Sequence, residues 1–382
     1  MTDYSLKRHF DSGCARELAV RITPVFPEFD GEGYAREVDA AVGPLELKDR
    51  VQVLAEGLRS RLPESYPDAV RVLVGSLGAE LKEGEGMFKA SWFLMPVARF
   101  VEVFGLEYPE VSLDAIGEIT RRHTGEYAIR PYLREYPELT MRYSERWAQS
   151  ESLNVRRLAS EGIRPRLPWA PRHRAFVEDP GPVIRVLDHL IDDPSPYVRK
   201  SVANNLNDVS KDHPERAVST AREWLRRSPS ERTARLVRHG LRSLIKAGDL
   251  AALELVGAAA DPSITVRRIV VEPDEVKVGD TLTITAEVAN SSPQEKDVVV
   301  DYTIHFLGKN GALRPKVFKL KRIAIGPGEV ATLRKLHVLK KVNIRTFYPG
   351  KQGASVQANG SESATAEFLL EDPEAGDAEG LA

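Results

Sequence analysis

The spacing of apolar residues changes about two thirds of the way along this chain of 382 residues. Up to about residue 260, apolar positions recur three and four apart, which predicts helices over residues 34–41, 47–61 and 67–79 among others. Pro63 and Pro67 separate two of these segments, because proline is not tolerated inside a helix. No sustained period-two alternation interrupts this part, so we predict that it is entirely α-helical.

Beyond Gly257, apolar and polar residues alternate with a period of two. Strand-length runs rich in Val, Thr and Ile cover residues 266–271, 281–289, 298–306, 316–322, 330–336, 354–358 and 364–369, with glycine-rich or asparagine-rich turns between most of them. Six or seven short strands at this spacing predict a β-sandwich of immunoglobulin type. Cys14 is the one cysteine, so the disulfide of antibody domains cannot form and a reducing environment is expected.

These patterns predict a multidomain α + β protein with an all-α domain over residues 1–262 and a sandwich over residues 263–370. Residues 371–382 carry five acids and no base, which predicts a disordered acidic tail. The N-terminus lacks an apolar signal core, and no apolar run reaches the roughly 20 residues that span a bilayer. We therefore expect no membrane partner and a cytoplasmic location in a bacterial cytosol or nucleoid. No Cys/His cluster has zinc spacing, so no metal is expected.

Short motifs repeat within the helical part. Val155-Arg-Arg recurs as Val198-Arg-Lys at an offset of 43, and residues 202–206 are echoed by residues 237–241 at an offset of 35. Helix pairs with an Asp-Pro turn and a Val-Arg entry are typical of HEAT repeats, which stack into a solenoid because no single pair can bury its apolar stripe. We therefore predict an N-terminal HEAT-like repeat solenoid. Its second helices would line one trough, which places these residues there: Arg157, Glu161, Arg199, Lys200 and Asn204.

Positive charge is concentrated between residues 154 and 174, although the net charge of the chain is only −2. This segment has six arginines and one acid, Glu161. A short helix that closes at Gly162 is followed by two prolines, so residues 164–169 form a stiff segment, here named the arm. The arm holds Trp169 beyond Arg164 and Arg166, which predicts a cationic surface tipped by an indole ring. The alternative is an ordinary solvated basic face.

A second basic patch lies in the predicted sandwich. Residues 309–345 contain eleven Lys or Arg and one acid, Glu329. Lys319 and Lys321 are expected to share one strand face. Lysines at a sheet edge also prevent aggregation, which is the alternative explanation. Two concentrated patches in one chain favour a polyanionic partner.

Carboxylates are the candidate catalytic groups, since the chain has no phosphate loop, nucleophile elbow or dinucleotide fingerprint. Glu161 lies among arginines, Asp208 is expected to follow the helix that bears Asn204, and Glu126 is expected to open a helix after His-Thr-Gly. Each acid taken alone is explained by a structural ion pair or by the helix dipole.

Together, these segments resemble the AlkC branch of the HEAT-like DNA alkylation repair glycosylases. The resemblance rests on residues 158–162, on the arm, on Asn-Asn-Leu-Asn-Asp at residues 204–208, on Thr-Gly-Glu at residues 124–126 and on the sandwich. It implies excision of cationic N-methylated bases, chiefly 3-methyladenine and 3-methylcytosine, from duplex DNA without base flipping and without a cofactor. It also implies that these residues surround the deoxyribose of the lesion: Glu126, Glu161, Asp208, Trp169 and Arg157.

The residue types suit that chemistry. A cationic base leaves as a neutral one, so the barrier lies in the positive charge that develops on the sugar rather than in protonation of the base. Carboxylates stabilise such an ion and can orient the attacking water, as in glycosidases, and an indole face attracts a cation.

We predict a monomeric enzyme whose basic residues hold the backbone of the DNA. The predicted DNA contacts are Arg157, Arg164, Arg166, Arg199, Lys200, Asn204, Lys319 and Lys321. Two other hypotheses fit the same two domains: a non-catalytic scaffold that binds DNA or protein, and a damage sensor without catalytic activity.

Overall fold

The computed structural model describes residues 6–82, 85, 91–257, 262–340 and 346–371. In these residues, sixteen α-helices precede all of the strands. The helices are α1 Ser12–Ile22, α2 Gly31–Val42, α3 Leu47–Arg59, α4 Tyr66–Gly75, α5 Met95–Phe104, α6 Pro109–Thr120, α7 Arg130–Glu135, α8 Pro137–Trp147, α9 Leu153–Glu161, α10 Arg174–Glu178, α11 Gly181–Leu187, α12 Pro196–Val209, α13 Pro214–Arg227, α14 Glu231–Gly240, α15 Arg242–Ala247 and α16 Leu250–Leu255. Short 3-10 helices cover Leu6–His9 and Trp92–Leu94.

Helix ends follow local signals in the sequence. The Asp30 carboxylate accepts the Gly33 N–H at the start of α2, and Ser195 caps α12 through the Tyr197 N–H. The helix predicted over residues 67–79 ends earlier, at Gly75, because the Ser76 N–H closes the last turn and Gly78 adopts a left-handed φ of 79°.

The repeated sequence motifs lie on helices that pack against one another. Helix α9 packs on α12, and α12 packs on α14. The Asn205 amide nitrogen donates to the Ser160 carbonyl at 2.8 Å, and the Ser201 and Ser160 hydroxyl oxygens are 3.0 Å apart. These buried contacts fix α9 and α12 side by side, while the HEAT-like interpretation itself stays a prediction.

The C-terminal part is strand-rich and immunoglobulin-like, as predicted. The strands are β1 Ile264–Glu272, β2 Glu275–Val276, β3 Thr281–Asn290, β4 Lys296–Leu307, β5 Leu313–Ile325, β6 Val330–Val338, β7 Gly350–Ala358, β8 Ser361–Glu362 and β9 Ala366–Leu370. Strands β1, β3 and β6 form one antiparallel sheet in that order, and β2-β9-β7-β4-β5 form the other, with β8 paired to β7. Their apolar inner faces enclose one core.

All seven predicted strand runs overlap observed strands. The sequence did not indicate β2 and β8, because two residues are too few to show an alternation.

By residue contacts, the chain divides into two compact units. One comprises Met1–His213 and Glu223–Gly240, and the other comprises Pro214–Arg222 and Leu241–Ala382. The predicted boundary near residue 262 stays a prediction, since residues 258–261 lie outside the described part, as do residues 372–382 of the predicted tail. Among the helices that are described, none is both long and apolar enough to cross a bilayer.

The contact between α12 and α14 leads to a stability prediction. A methyl group added at Gly240 would lie 2.8 Å from Leu206 Cδ2 and 3.3 Å from Leu206 Cβ, and Leu206 is fully buried. We expect Gly240→Ala to lower the free energy of unfolding by about 1 to 2 kcal/mol, because overpacking outweighs the gain in helix propensity. Urea denaturation measures this. The double variant with Leu206→Ala should cost less than the sum of the two single changes, and an unchanged or higher stability of Gly240→Ala would contradict the prediction.

Candidate active site

The three predicted acids belong to one network of ion pairs. Arg157 Nη1 lies 2.7 Å from Glu126 Oε2, and Arg157 Nη2 lies 3.7 Å from Glu161 Oε2. Arg164 continues the network, since its Nη1 is 2.6 Å from Glu161 Oε1 and its Nε is 2.8 Å from Asp208 Oδ2. Two arginines therefore join three carboxylates that come from distant parts of the sequence.

Two local predictions about these acids are wrong. Glu126 does not open a helix: it lies in a turn, and α7 begins four residues later at Arg130. The turn forms because the Thr124 hydroxyl accepts the Glu126 N–H at 3.3 Å and donates to Glu126 Oε2 at 2.9 Å. Asp208 does not follow its helix but lies within the last turn of α12, where its carboxylate reaches the end of α9.

Burial and pairing act in opposite directions on this network. Glu161 is 6% exposed and Asp208 is 2% exposed. Burial alone would raise the pKa of Glu161, but the charges of Arg157 and Arg164 and the hydrogen bond from Ser201 hold that pKa below its ordinary value of 4.5. Desolvation of the two guanidinium groups is likewise outweighed by the carboxylates, so the pKa of each arginine is raised. Glu161 and both arginines therefore stay charged at neutral pH.

The three carboxylates differ in what remains available to a ligand. Both oxygens of Glu161 are engaged, and Ser201 Oγ donates to Oε2 at 2.7 Å. Asp208 is also saturated, since Lys211 Nζ lies 3.0 Å from its Oδ1. In contrast, Glu126 Oε1 has no hydrogen-bonding partner among the described residues, and its side chain is 12% exposed. Glu126 is thus the carboxylate best able to accept a bond from a bound molecule.

The arm presents its indole ring to solvent. Trp169 is 79% exposed, as the sequence predicts, and its φ of 62° lies in the left-handed region. A bulky residue in that region is strained. Two donors from outside hold the backbone next to the ring: the Tyr127 hydroxyl donates to the Pro168 carbonyl at 3.2 Å, and Lys48 Nζ donates to the Trp169 carbonyl at 3.1 Å.

Two aromatic residues that the sequence did not indicate, Tyr127 and Tyr197, border the network. Burial, followed by the charges of Glu126 and Glu161, raises the pKa of Tyr127 to about 12. The guanidinium carbon of Arg157 lies 5.1 Å from the centre of the Tyr197 ring. The position of Tyr127 directly after Glu126 was the one available signal. A single tyrosine beside an acid is too common to indicate a site.

Several arginines predicted to bind DNA are already hydrogen-bonded within the protein. Arg157 and Arg164 hold the network carboxylates. Arg166 makes a two-point contact with the Asp212 carboxylate, at 2.6 and 3.0 Å. Arg199 Nη1 donates to the carbonyls of Asp193 and Pro194, the latter at 2.9 Å.

The other predicted DNA contacts are more open. Lys200 is exposed and has no ion pair among the residues that are described, and Lys319 and Lys321 are exposed on β5. Asn204 Oδ1 lies 3.2 Å from His239 Nε2. DNA binding by the predicted set of residues stays a prediction. In the described part of the chain, no group of three His, Cys, Asp or Glu side chains has the arrangement that holds a metal ion.

Comparison with known proteins assigns both parts of the chain. Residues 123–259 match the family described as "DNA alkylation repair enzyme". Residues 265–372 match the family described as "Uncharacterised protein YhaZ, C-terminal Ig-like domain". The network acids and the arm lie within the first match.

Two relatives cover nearly the whole chain. A Bacillus subtilis protein named "Uncharacterized protein YhaZ" is 32% identical over 367 residues, which is 96% of this chain and 99% of that protein. The structure of Pseudomonas fluorescens alkylpurine DNA glycosylase AlkC, bound to DNA containing an abasic site analog, superposes with a TM-score of 0.86. It is 34% identical and covers 96% of this chain and 100% of that one. The chain therefore belongs to the AlkC-like family of DNA alkylation repair glycosylases.

Proposed function

We propose that this glycosylase hydrolyses the N-glycosidic bond of cationic N-alkylated bases, 3-methyladenine and 3-methylcytosine, in duplex DNA. The observation that carries the proposal is the joining of Glu126, Glu161 and Asp208 in one network. The arm that bears Trp169 begins at Arg164, a member of the same network. Carboxylates and an indole are the groups that stabilise a cationic sugar.

The charge of the network favours a cationic transition state. Three carboxylates pair with Arg157, Arg164 and Lys211, so the formal charges balance, but Lys211 contacts only Asp208 and the free Oε1 of Glu126 remains as negative charge that no cation among the described residues contacts. In a site largely shielded from water this negative charge stabilises the positive charge that develops on deoxyribose. We assign the free Oε1 of Glu126 to direct contact with the attacking water or the sugar. Glu161 and Asp208 then act by holding the two arginines and by their charge.

The proposal divides the basic residues into two groups. Arg157 and Arg164 position the acids, because their donors already point at carboxylates. The remaining predicted contacts bind phosphates without determining sequence specificity: Arg166, Arg199, Lys200, Asn204, Lys319 and Lys321. The enzyme would work as a cytoplasmic monomer without a cofactor. We propose that the methylated base stays in the duplex, since the indole and the acids act on the sugar.

Base release under single-turnover conditions tests the function. We expect release of 3-methyladenine and 3-methylcytosine from duplex DNA, detected by chromatography, with no borohydride-trapped protein–DNA adduct. Glu126→Gln should slow release by ~100-fold or more with little change in DNA affinity, because it removes charge but not shape. Glu135→Gln, a change at an exposed acid at the end of α7, is the matched control and should react at the wild-type rate. Folded wild-type protein that releases neither base would overturn the proposed function. A wild-type rate for Glu126→Gln would remove only the assignment of that residue.

The strained backbone at Trp169 predicts a trade-off between stability and activity. Trp169→Gly and Trp169→Ala both remove the indole ring and should both slow base release. Only glycine tolerates a φ of 62° without steric cost, so Trp169→Gly should be more stable than Trp169→Ala by about 1 kcal/mol. Urea denaturation of both variants measures the difference. Equal stabilities, or a more stable alanine variant, would mean that the fold does not impose the left-handed conformation.

A further inference from the structure

Arg130 is a buried arginine that contacts the backbone at the start of the arm and just beyond its end. It is 5% exposed and is the first residue of α7. Its Nη1 donates to the carbonyls of Arg164 at 2.8 Å and Gly162 at 3.3 Å, and its Nη2 donates to the Pro171 carbonyl at 2.9 Å. One guanidinium group therefore links the backbone on the two sides of Trp169.

This cation has no acidic partner in the described part of the chain. Burial, and to a smaller degree the charge of Arg134, lowers the pKa of Arg130 to about 10. A buried charge without a counterion is costly, and an apolar residue would avoid that cost but would leave the carbonyls of Gly162, Arg164 and Pro171 without these donors. The presence of arginine here is therefore explained by the backbone that it holds on the two sides of Trp169.

The arm and the residues directly after it need donors from outside themselves. Pro165, Pro168 and Pro171 have no N–H, so this backbone can form few hydrogen bonds of its own. The bonds it does make locally are Ala170 N–H to the Leu167 carbonyl and His173 N–H to the Pro165 carbonyl. A planar guanidinium with several fixed donors can satisfy carbonyls on two segments at once, whereas an ammonium group cannot do so with the same geometry.

We propose that Arg130 is a positioning residue for base excision. It clamps the backbone on the two sides of Trp169 and so holds this residue in its exposed, left-handed conformation against the sugar. Arg130 does not touch the substrate, and its effect passes through Trp169. The proposal rests on the proposed function for its kinetic consequence, but the position of the indole can be tested without DNA.

Fluorine NMR of protein labelled with 5-fluorotryptophan provides the DNA-free test. The chain has four tryptophans, and Trp169→Phe identifies the Trp169 resonance by its disappearance. Arg130→Lys keeps the positive charge but loses the planar guanidinium group and its fixed donors. It should shift or broaden the Trp169 resonance and leave the other three in place. Arg59→Lys is the matched control, since Arg59 also donates to two carbonyls, those of Pro63 and Glu64, and likewise has no ion pair among the described residues, but lies at the end of α3 away from the arm. It should leave the Trp169 resonance unchanged.

A double-mutant cycle gives the kinetic test. Single-turnover release of 3-methyladenine is compared for wild type, Arg130→Lys, Trp169→Ala and the double variant. Arg130→Lys should be ~100-fold slower than wild type, as expected for a misplaced group, and the double variant should be no slower than Trp169→Ala alone. Losses that multiply in the double variant, or an unshifted Trp169 resonance in Arg130→Lys, would overturn the positioning role.

Tyr127→Phe covers the case in which Arg130→Lys unfolds, which the other three fluorine resonances would reveal. It removes a single hydrogen bond, to the Pro168 carbonyl of the same arm. It should shift the Trp169 resonance and slow base release by a smaller factor than Arg130→Lys does. Combined with Trp169→Ala, it should again slow release no further than Trp169→Ala alone. An unshifted resonance here would overturn the clamp. Absence of base release from wild type would instead count against the proposed function and leave the NMR result to decide the role of Arg130.

Discussion

Two arginines hold three carboxylates in one buried chain of ion pairs, and the candidate site depends on this arrangement. Arg157 joins the turn at Glu126 to α9, and Arg164 joins α9 to α12. Loss of Arg157 would leave Glu126 without a cation, and loss of Arg164 would leave Glu161 with the more distant Arg157 and Asp208 with the partly exposed Lys211. Breaking pairs at this degree of burial is strongly destabilising. The same packing of α9 on α12 that buries their apolar residues therefore also places the acids beside one another.

The site has a rigid charged part and a strained aromatic part. The charged part is held by pairing, and each of its members limits the movement of the next. The aromatic part is one indole ring on a segment rich in proline, held through backbone carbonyls by Tyr127, Lys48 and Arg130. Strain of this kind persists only where surrounding structure imposes it, and it clusters at functional sites. Both parts meet at Arg164, whose side chain binds the acids and whose carbonyl accepts from Arg130.

The sequence predicted the elements better than the partners. Period-two runs located seven strands, and the short helix before the arm was placed correctly at α9, because these features depend on local patterns. Arginines expected to face phosphate proved to be paired with acids instead, as with Arg164 and Asp208, which lie 44 residues apart. Nothing in the sequence indicated a function for Arg130, because its three carbonyl partners lie in another segment. Which acid or carbonyl an arginine contacts depends on the tertiary fold, and the spacing of residues in one sequence does not reveal it.

In the proposed chemistry the site stabilises a cationic sugar and supplies no proton to the leaving base. The most direct test compares single-turnover release of cationic 3-methyladenine with release of neutral hypoxanthine from otherwise identical duplexes. We expect ready release of 3-methyladenine and no measurable release of hypoxanthine, because a neutral purine needs protonation and Glu161 stays ionised at neutral pH. Release of hypoxanthine at a comparable rate would rule out this chemistry, since it would require a general acid at this site.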